Sequence, residues 1–289
     1  MRKQALIDLA AGGTVLLDGA TGTNLRAAGM PVGVPPELWV LEHPQALLEL
    51  QRGYVDAGSR VLCAPTFSAN RLGLQHFGLE ERVGELNGAL AALTRQAAGG
   101  RALVAGDLST LGRPLEPAGD LSYSQAYGVY REQMEALKAA GVDLLAVETL
   151  MGGDEAMAAL DAAADLELAV WCSFSAEADG SLLFGGAVRD AAAAAQELGA
   201  AAVGVNCSVG PDHLEAVVRS LAQAVQIPVV AKPNAGLPVM DAAGQAHYSM
   251  GPAAFAGHMR TLRGAGASLL GGCCGTTPAY IRSLAQALG

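Results

Sequence analysis

Eight short β-rich runs recur along the 289-residue chain, at 14–18, 60–64, 102–107, 143–148, 168–174, 201–207, 227–232 and 267–271. Their apolar residues are continuous rather than alternating, the pattern of parallel strands covered on both faces. Stretches rich in Ala, Leu, Glu and Arg with helical spacing separate them, at 44–57, 79–98, 123–140, 153–164, 189–198, 211–225 and 252–263. A last helix is expected over 279–288, opened by Pro278 at the position where a missing N–H costs nothing. A strand-helix unit repeated eight times predicts an α/β fold, a (β/α)8 TIM barrel, as a single domain over 1–289. The second and eighth runs carry Cys or Gly, which lowers their strand propensity.

Other classes are excluded by what is missing. No GxGxxG follows the first run and nothing matches GxxxxGK[ST], so the common nucleotide-binding folds lose their fingerprints. A formal net charge of −10 argues against nucleic acid, whose binding rests on phosphate neutralisation by Lys and Arg. No stretch approaches the ~20 apolar residues of a membrane span, and Asp8 interrupts the N-terminus before a signal-like core develops. Five cysteines without framework spacing do not read as a disulfide scaffold, so a cytoplasmic, reducing location is expected.

In such a barrel the active site lies at the C-terminal ends of the strands. The polar residues expected there are Asp18, Asn70, Asp107, Glu148, Cys207, Asn234 and the neighbours Cys273 and Cys274. Cys207 ends the sixth run, while Cys273-Cys274 follows the eighth between Gly272 and Gly275. Three thiols at strand ends fit a zinc site that supplies three protein ligands and leaves a fourth position open. The flanking glycines permit the sharp turn that two adjacent ligands require. A thiol entering the open position would lose its proton and become a nucleophile toward an electrophilic carbon. The alternatives are a buried small-residue turn or a vicinal disulfide; Cys63 and Cys172, inside their runs, read as buried core.

If the thiol substrate is an amino acid, its ammonium needs an anionic anchor, for which Asp18 and Glu148 are candidates. Gly19, Ala20 and Thr21, opening the loop after the first run, would offer backbone N–H groups to its carboxylate. The competing readings are a capping or salt-bridged role for the two acids and an ordinary turn for the loop. The five histidines show no ligand-like spacing and read as surface or helix positions.

These residues resemble the homocysteine S-methyltransferase family. The likeness runs through Asp18-Gly19-Ala20-Thr21-Gly22-Thr23, Pro65-Thr66-Phe67-Ser68-Ala69-Asn70-Arg71, Gly106-Asp107-Leu108, Val147-Glu148-Thr149, Val205-Asn206-Cys207-Ser208, Lys232-Pro233-Asn234-Ala235-Gly236-Leu237-Pro238 and the segment 271–278. It is closest in character to the homocysteine-binding module of cobalamin-dependent methionine synthase. The resemblance implies Zn2+ on Cys207, Cys273 and Cys274, the homocysteine amino group on Asp18 and Glu148, its carboxylate on the loop after Asp18, Asn234 near the metal, and methionine as product. The folate-binding and cobalamin-binding modules of the full synthase have no counterpart here, so the methyl donor is expected from a separate corrinoid/methyltetrahydrofolate component. Thr149 after Glu148, and aromatics at only 4% of the chain, disfavour an aromatic cage for betaine. The alternatives are a donor of the S-methylmethionine or S-adenosylmethionine type, or a non-catalytic homocysteine-binding subunit of a split methionine synthase.

Overall fold

A computed structural model describes residues 1–241 and 246–289. Its parallel strands are β1 (Val15–Leu16), β2 (Val61–Cys63), β3 (Leu103–Ser109), β4 (Leu144–Leu150), β5 (Val170–Phe174), β6 (Ala202–Cys207), β7 (Val229–Pro233) and β8 (Ala267–Leu270). Each pairs with its sequence neighbour from β2 to β8, and β8 pairs with β1 through Val15 opposite Leu269. A parallel bridge between Leu17 and Val61 joins β1 to β2, and the Arg60 N–H donates to the Leu16 carbonyl at 2.7 Å. The sheet therefore closes into the expected (β/α)8 barrel, with both low-propensity runs present as strands. The bridge brings the two outermost strands together, which compensates for the shortness of β1 and β2.

Side chains alternate across these strands, so every second residue faces the barrel axis. Val15, Leu17, Val61, Cys63, Ala105, Leu144, Ala146, Trp171, Val230 and Leu269 form one inner cluster around the fully buried Trp171. Helix Lys3–Ala11 closes the bottom of the barrel, with Leu6 and Ala10 packed in the same cluster. Burying Leu6 contributes roughly 1.5–3 kcal/mol. The intervening positions, among them Leu62, Val104, Leu145, Val147, Val203 and Val205, face the second core between strands and helices. Burial on both faces is why these runs are apolar throughout rather than alternating.

The outer helices follow the sequence pattern with local differences. The stretch 79–98 divides into a 3-10 turn, Glu80–Arg82, and helix Val83–Ala98, and 211–225 divides into Pro211–His213 and helix Glu215–Ala224. Three helices of five to seven residues, Gly22–Ala27, Pro36–Glu42 and Arg71–Gln75, lie in the βα loops, too short to display a helical period. A two-stranded antiparallel hairpin, Pro238–Met240 with Ala246–Tyr248, extends from the loop after β7. No helix among the described residues is long and apolar enough to cross a membrane.

Candidate functional site

The period-2 rule that fills the barrel with Ala105, Ala146 and Val230 turns Asp107, Glu148 and Lys232 inward one step higher. All three are buried, as is Asp18 just beyond β1. The Lys232 ammonium lies 2.8 Å from Glu148 Oε2, 3.8 Å from Asp18 Oδ1 and 3.5 Å from Cys63 Sγ. It also sits 5.8 Å from the centre of the Trp171 ring. Asp18 accepts the Cys63 backbone N–H on Oδ2 at 2.7 Å, while Asp18 Oδ1 and Asp107 Oδ1 have no hydrogen-bond donor among the described residues.

Three carboxylates around one ammonium leave a surplus of negative charge out of water. Burial, partly offset by Lys232, pushes the Asp18 carboxyl up to about 6. Burial and the nearby Glu148 push Asp107 well above the carboxylate range. Burial works against the Lys232 ammonium, yet Cys63, Glu148, Asp18 and Asp107 together keep its pKa above that of an ordinary lysine.

The sulfur side of the site is built on turns instead of strand interiors. Cys207 and Ser208 take consecutive left-handed conformations, φ 59° and 57°, as β6 ends. Such backbone is costly for residues with a Cβ and persists where the surroundings over-determine it. After β8 the Cys273 N–H donates to the Pro233 carbonyl at 2.8 Å, and the Ala235 N–H donates to the Cys274 carbonyl at 2.9 Å. Thr276 donates its hydroxyl to the Cys273 carbonyl at 2.7 Å and accepts the Ala20 N–H at 3.0 Å, which ties the turn to the loop after β1. Gly275 adopts φ 81°, and a Cβ there would fall 2.4 Å from the Tyr248 ring.

These turns bring the three Sγ atoms of Cys207, Cys273 and Cys274 within 4.8 Å of one another. Hydrogen bonds from Cys273 and Cys274 lower the Cys207 thiol to about 3. The hydrogen bond with Cys207 in turn raises Cys273 well above the usual thiol range and Cys274 to about 11. One thiolate is thus favourable and the next two are not, so the cluster as a trianion requires a cation. Three soft sulfur donors on partly buried turns suit a thiophilic divalent ion. Asn234 lies beside them: its Nδ2 donates to the Ser208 carbonyl at 3.1 Å, its side chain hydrogen-bonds Cys207, and its Oδ1 has no hydrogen-bond partner among the described residues.

A cavity of about 250 Å³ joins the two sides. Its walls include Cys207, Cys273, Cys274, Glu148, Asp107, Lys232, Cys63 and the loop Gly19, Ala20, Thr21, Gly22 and Thr23. Asp18 and Asn234 are not part of that lining. The Ala20 N–H is already taken by Thr276, whereas Gly22 and Thr23 open a short helix whose first N–H groups have no intrahelical acceptor. Asn70 belongs elsewhere: its Oδ1 caps helix Arg71–Gln75 by accepting the Gly73 N–H at 2.9 Å. Among the described residues no histidine joins the sulfur cluster.

Sequence reasoning passed over Lys232 as an ion-pair partner, Asn206 and Tyr248. The first two were accessible through strand parity, since Lys232 and Asn206 continue the inward positions Val230 and Gly204. Asn206 accepts the Thr149 N–H and the Ser173 hydroxyl, each at 2.8 Å, and donates to Thr149 Oγ1 at 2.8 Å. It thereby holds the left-handed Thr149, φ 62°, next to Glu148. Tyr248 comes from the hairpin, which no local signal places over Gly275.

The sequence profile of homocysteine S-methyltransferases matches residues 15–288. Homocysteine S-methyltransferase of Escherichia coli K12 is 32% identical, over 93% of this chain and 94% of its own length. Methionine synthase of Mycobacterium tuberculosis is 30% identical over 98% of this chain, which spans about a quarter (25%) of that longer protein. The crystal structure of the E. coli homocysteine methyltransferase MmuM in its metallated form superposes with a TM-score of 0.80 at 28% identity, covering 97% of this chain and 98% of that one. A profile match over nearly the whole barrel, with full-length relatives of the same name, shows that this chain belongs to the homocysteine S-methyltransferase family.

Proposed function

We propose that this barrel, a single domain over 1–289, converts homocysteine to methionine, with zinc on Cys207, Cys273 and Cys274. The observation that carries this reading is the meeting of three sulfurs with buried carboxylates on one cavity. A thiol at one end and an ammonium at the other describe the substrate such a cavity suits. Bound zinc would supply the Lewis acidity that lets a substrate thiol ionise at neutral pH and keeps its sulfur electron-rich.

The protein's own groups do the rest. Glu148 and Asp18 take the substrate ammonium, and the loop Gly19-Ala20-Thr21, with the N–H groups that follow it, receives the carboxylate. Anchoring both ends fixes the sulfur and removes a large part of the entropic barrier to attack. Asn234, hydrogen-bonded to Cys207, occupies the metal side when substrate is absent. In the transfer the thiol proton departs, an S–CH3 bond forms, and the donor keeps the electron pair of the bond that breaks.

The donor in this reading is a separate corrinoid/methyltetrahydrofolate component. Among the described residues the cavity carries one aromatic ring, Phe67, and it is exposed. One ring is too little for an aromatic cage around a sulfonium or quaternary methyl donor. The alternative donor is a small, freely diffusing sulfonium compound, S-methylmethionine or S-adenosylmethionine.

The test is zinc analysis of reduced protein, then homocysteine titration with proton release recorded, then turnover with each donor. One zinc per chain and release of a proton on binding are expected, followed by methionine formation with a methylcorrinoid. Turnover with sulfonium donors alone would replace the corrinoid version. Homocysteine binding without turnover for any donor would make the protein a binding subunit of a split methionine synthase. Absence of zinc would overturn the reading.

A further inference from the structure

The amino-group end of the cavity already holds an ammonium, and it belongs to the protein. Lys232 Nζ makes the 2.8 Å contact to Glu148 and the 3.8 Å contact to Asp18 that a substrate amine would need. Asp18 is outside the cavity lining, and its Oδ1 has the Lys232 ammonium as its nearest cation. A substrate amine therefore reaches both acids only when Lys232 Nζ moves. Two ammonium groups sharing that position would repel at contact distance.

The same cavity contains a place for the displaced group. Asp107 lines it, is buried, and has an Oδ1 without a hydrogen-bond partner among the described residues. Lys232 is near enough for its charge to act on the Asp107 carboxyl. A lysine has four rotatable carbon bonds behind its ammonium and shifts its tip without moving the backbone. Charge balance favours the exchange as well. At rest burial and Glu148 favour the neutral Asp107 carboxyl; a second ammonium in the pocket favours its ionisation and so gives the displaced Lys232 an anionic partner, as buried charges require.

We propose that Lys232 is a tethered stand-in for the substrate ammonium, and that Asp107 receives it when an amino-acid thiol enters. The inference rests on the reading of Glu148 and Asp18 as the amine anchors. It makes Lys232 and Asp107 specificity-determining residues with opposite effects. Lys232 sets a threshold that only an amine able to displace it crosses, and Asp107 lowers that threshold.

The experiment compares homocysteine with 4-mercaptobutyrate, the same thiol and carboxylate without the amine, by calorimetric titration of zinc-loaded protein. The readout is the ratio of the two dissociation constants. K232M removes the competitor and raises the preference for homocysteine about tenfold; D107N removes the alternative partner and lowers it about tenfold. K232M/D107N restores the preference to the wild-type level or above. Zinc content and thermal melting are recorded for every variant, and K232Q replaces K232M if the latter fails to fold.

A fall in preference for K232M would mean that Lys232 only orients Glu148, and the proposal would be wrong. A preference unmoved by either substitution, with both thiols binding, would overturn this inference while leaving the thiol site intact. If neither thiol binds the zinc-loaded wild-type protein, the reading of the cavity fails and this inference fails with it.

Discussion

The two ends of the cavity are made by different means. Asp107, Glu148 and Lys232 ride on strand positions whose direction is dictated by the pleat, one step above Ala105, Ala146 and Val230. Cys207, Cys273 and Cys274 ride on the turns that follow strands, shaped by left-handed backbone at Cys207, Ser208 and Gly275. The charged end comes with the barrel, whereas the sulfur end needs backbone that the barrel alone does not supply. Damage to the sulfur end should therefore remove chemistry and spare the fold, while damage to the charged end should disturb binding, stability and pH response together.

The sharpest way to break that contrast is C273S. Loss of one soft ligand from three should abolish zinc retention and lower methyl transfer on the order of 1000-fold or more. Thermal stability of the metal-free protein should move by less than about 1 kcal/mol, because neither apolar core includes this side chain. Metal analysis with a melting curve checks both. A variant that keeps its zinc would end the assignment, and one that unfolds would end the separation of site from fold.

At the charged end, E148Q should retain zinc and weaken homocysteine binding roughly 30- to 100-fold, because it removes the carboxylate that contacts the ammonium position directly. It should also lower stability, since Lys232 loses its 2.8 Å partner inside the barrel. Titration calorimetry and melting read the two effects separately. Unchanged affinity would remove Glu148 from the substrate site.

How much of this was readable from sequence follows the same division. Eight continuous apolar runs give the barrel because burial on both faces leaves no freedom for polar residues inside them. The thiols were readable because Cys next to Gly at strand ends has few structural explanations. The ion-pair partner Lys232 was missed, although parity places it inward, because a lysine in a strand-like run reads as the end of that run. Asn70 was misread in the opposite sense: it follows a strand, but its side chain closes a helix start. Tyr248 was beyond reach, since its contact with Gly275 depends on how the hairpin folds back over the turn.

The charged end should also carry a pH signature of its own, opposite in sign to that of the lowered Cys207 thiol, whose thiolate stabilises the fold as pH rises. Burial pushes the Asp18 carboxyl up to about 6 in the folded chain from an ordinary 3.8, so the folded state binds its proton more tightly. This group therefore favours folding below about pH 4, and its contribution is lost as pH rises through 6. D18N should remove on the order of 2 kcal/mol of stability change between pH 4 and 6. Denaturant melts of the metal-free protein across that window check it. A substrate ammonium stabilises the carboxylate, so homocysteine binding near pH 6 should release an additional proton that D18N does not release.

The smallest expected effect tests whether the sulfur end has its own support outside the barrel. Tyr248 comes from the hairpin, lies against Gly275, and hydrogen-bonds Cys274, which eases ionisation of that thiol. A donor to a ligand's sulfur orients the ligand and stabilises its charge, and groups of this kind tune metal affinity without touching the metal. Y248F keeps the ring that packs on Gly275 and removes only the hydroxyl. Zinc affinity should fall about tenfold, with substrate affinity at saturating zinc nearly unchanged, as measured by competition with a chromophoric chelator. No change in zinc affinity would confine the sulfur end to its two turns. A loss that approaches that of C273S would mean that the hairpin, not the barrel, sets the geometry of the three thiols.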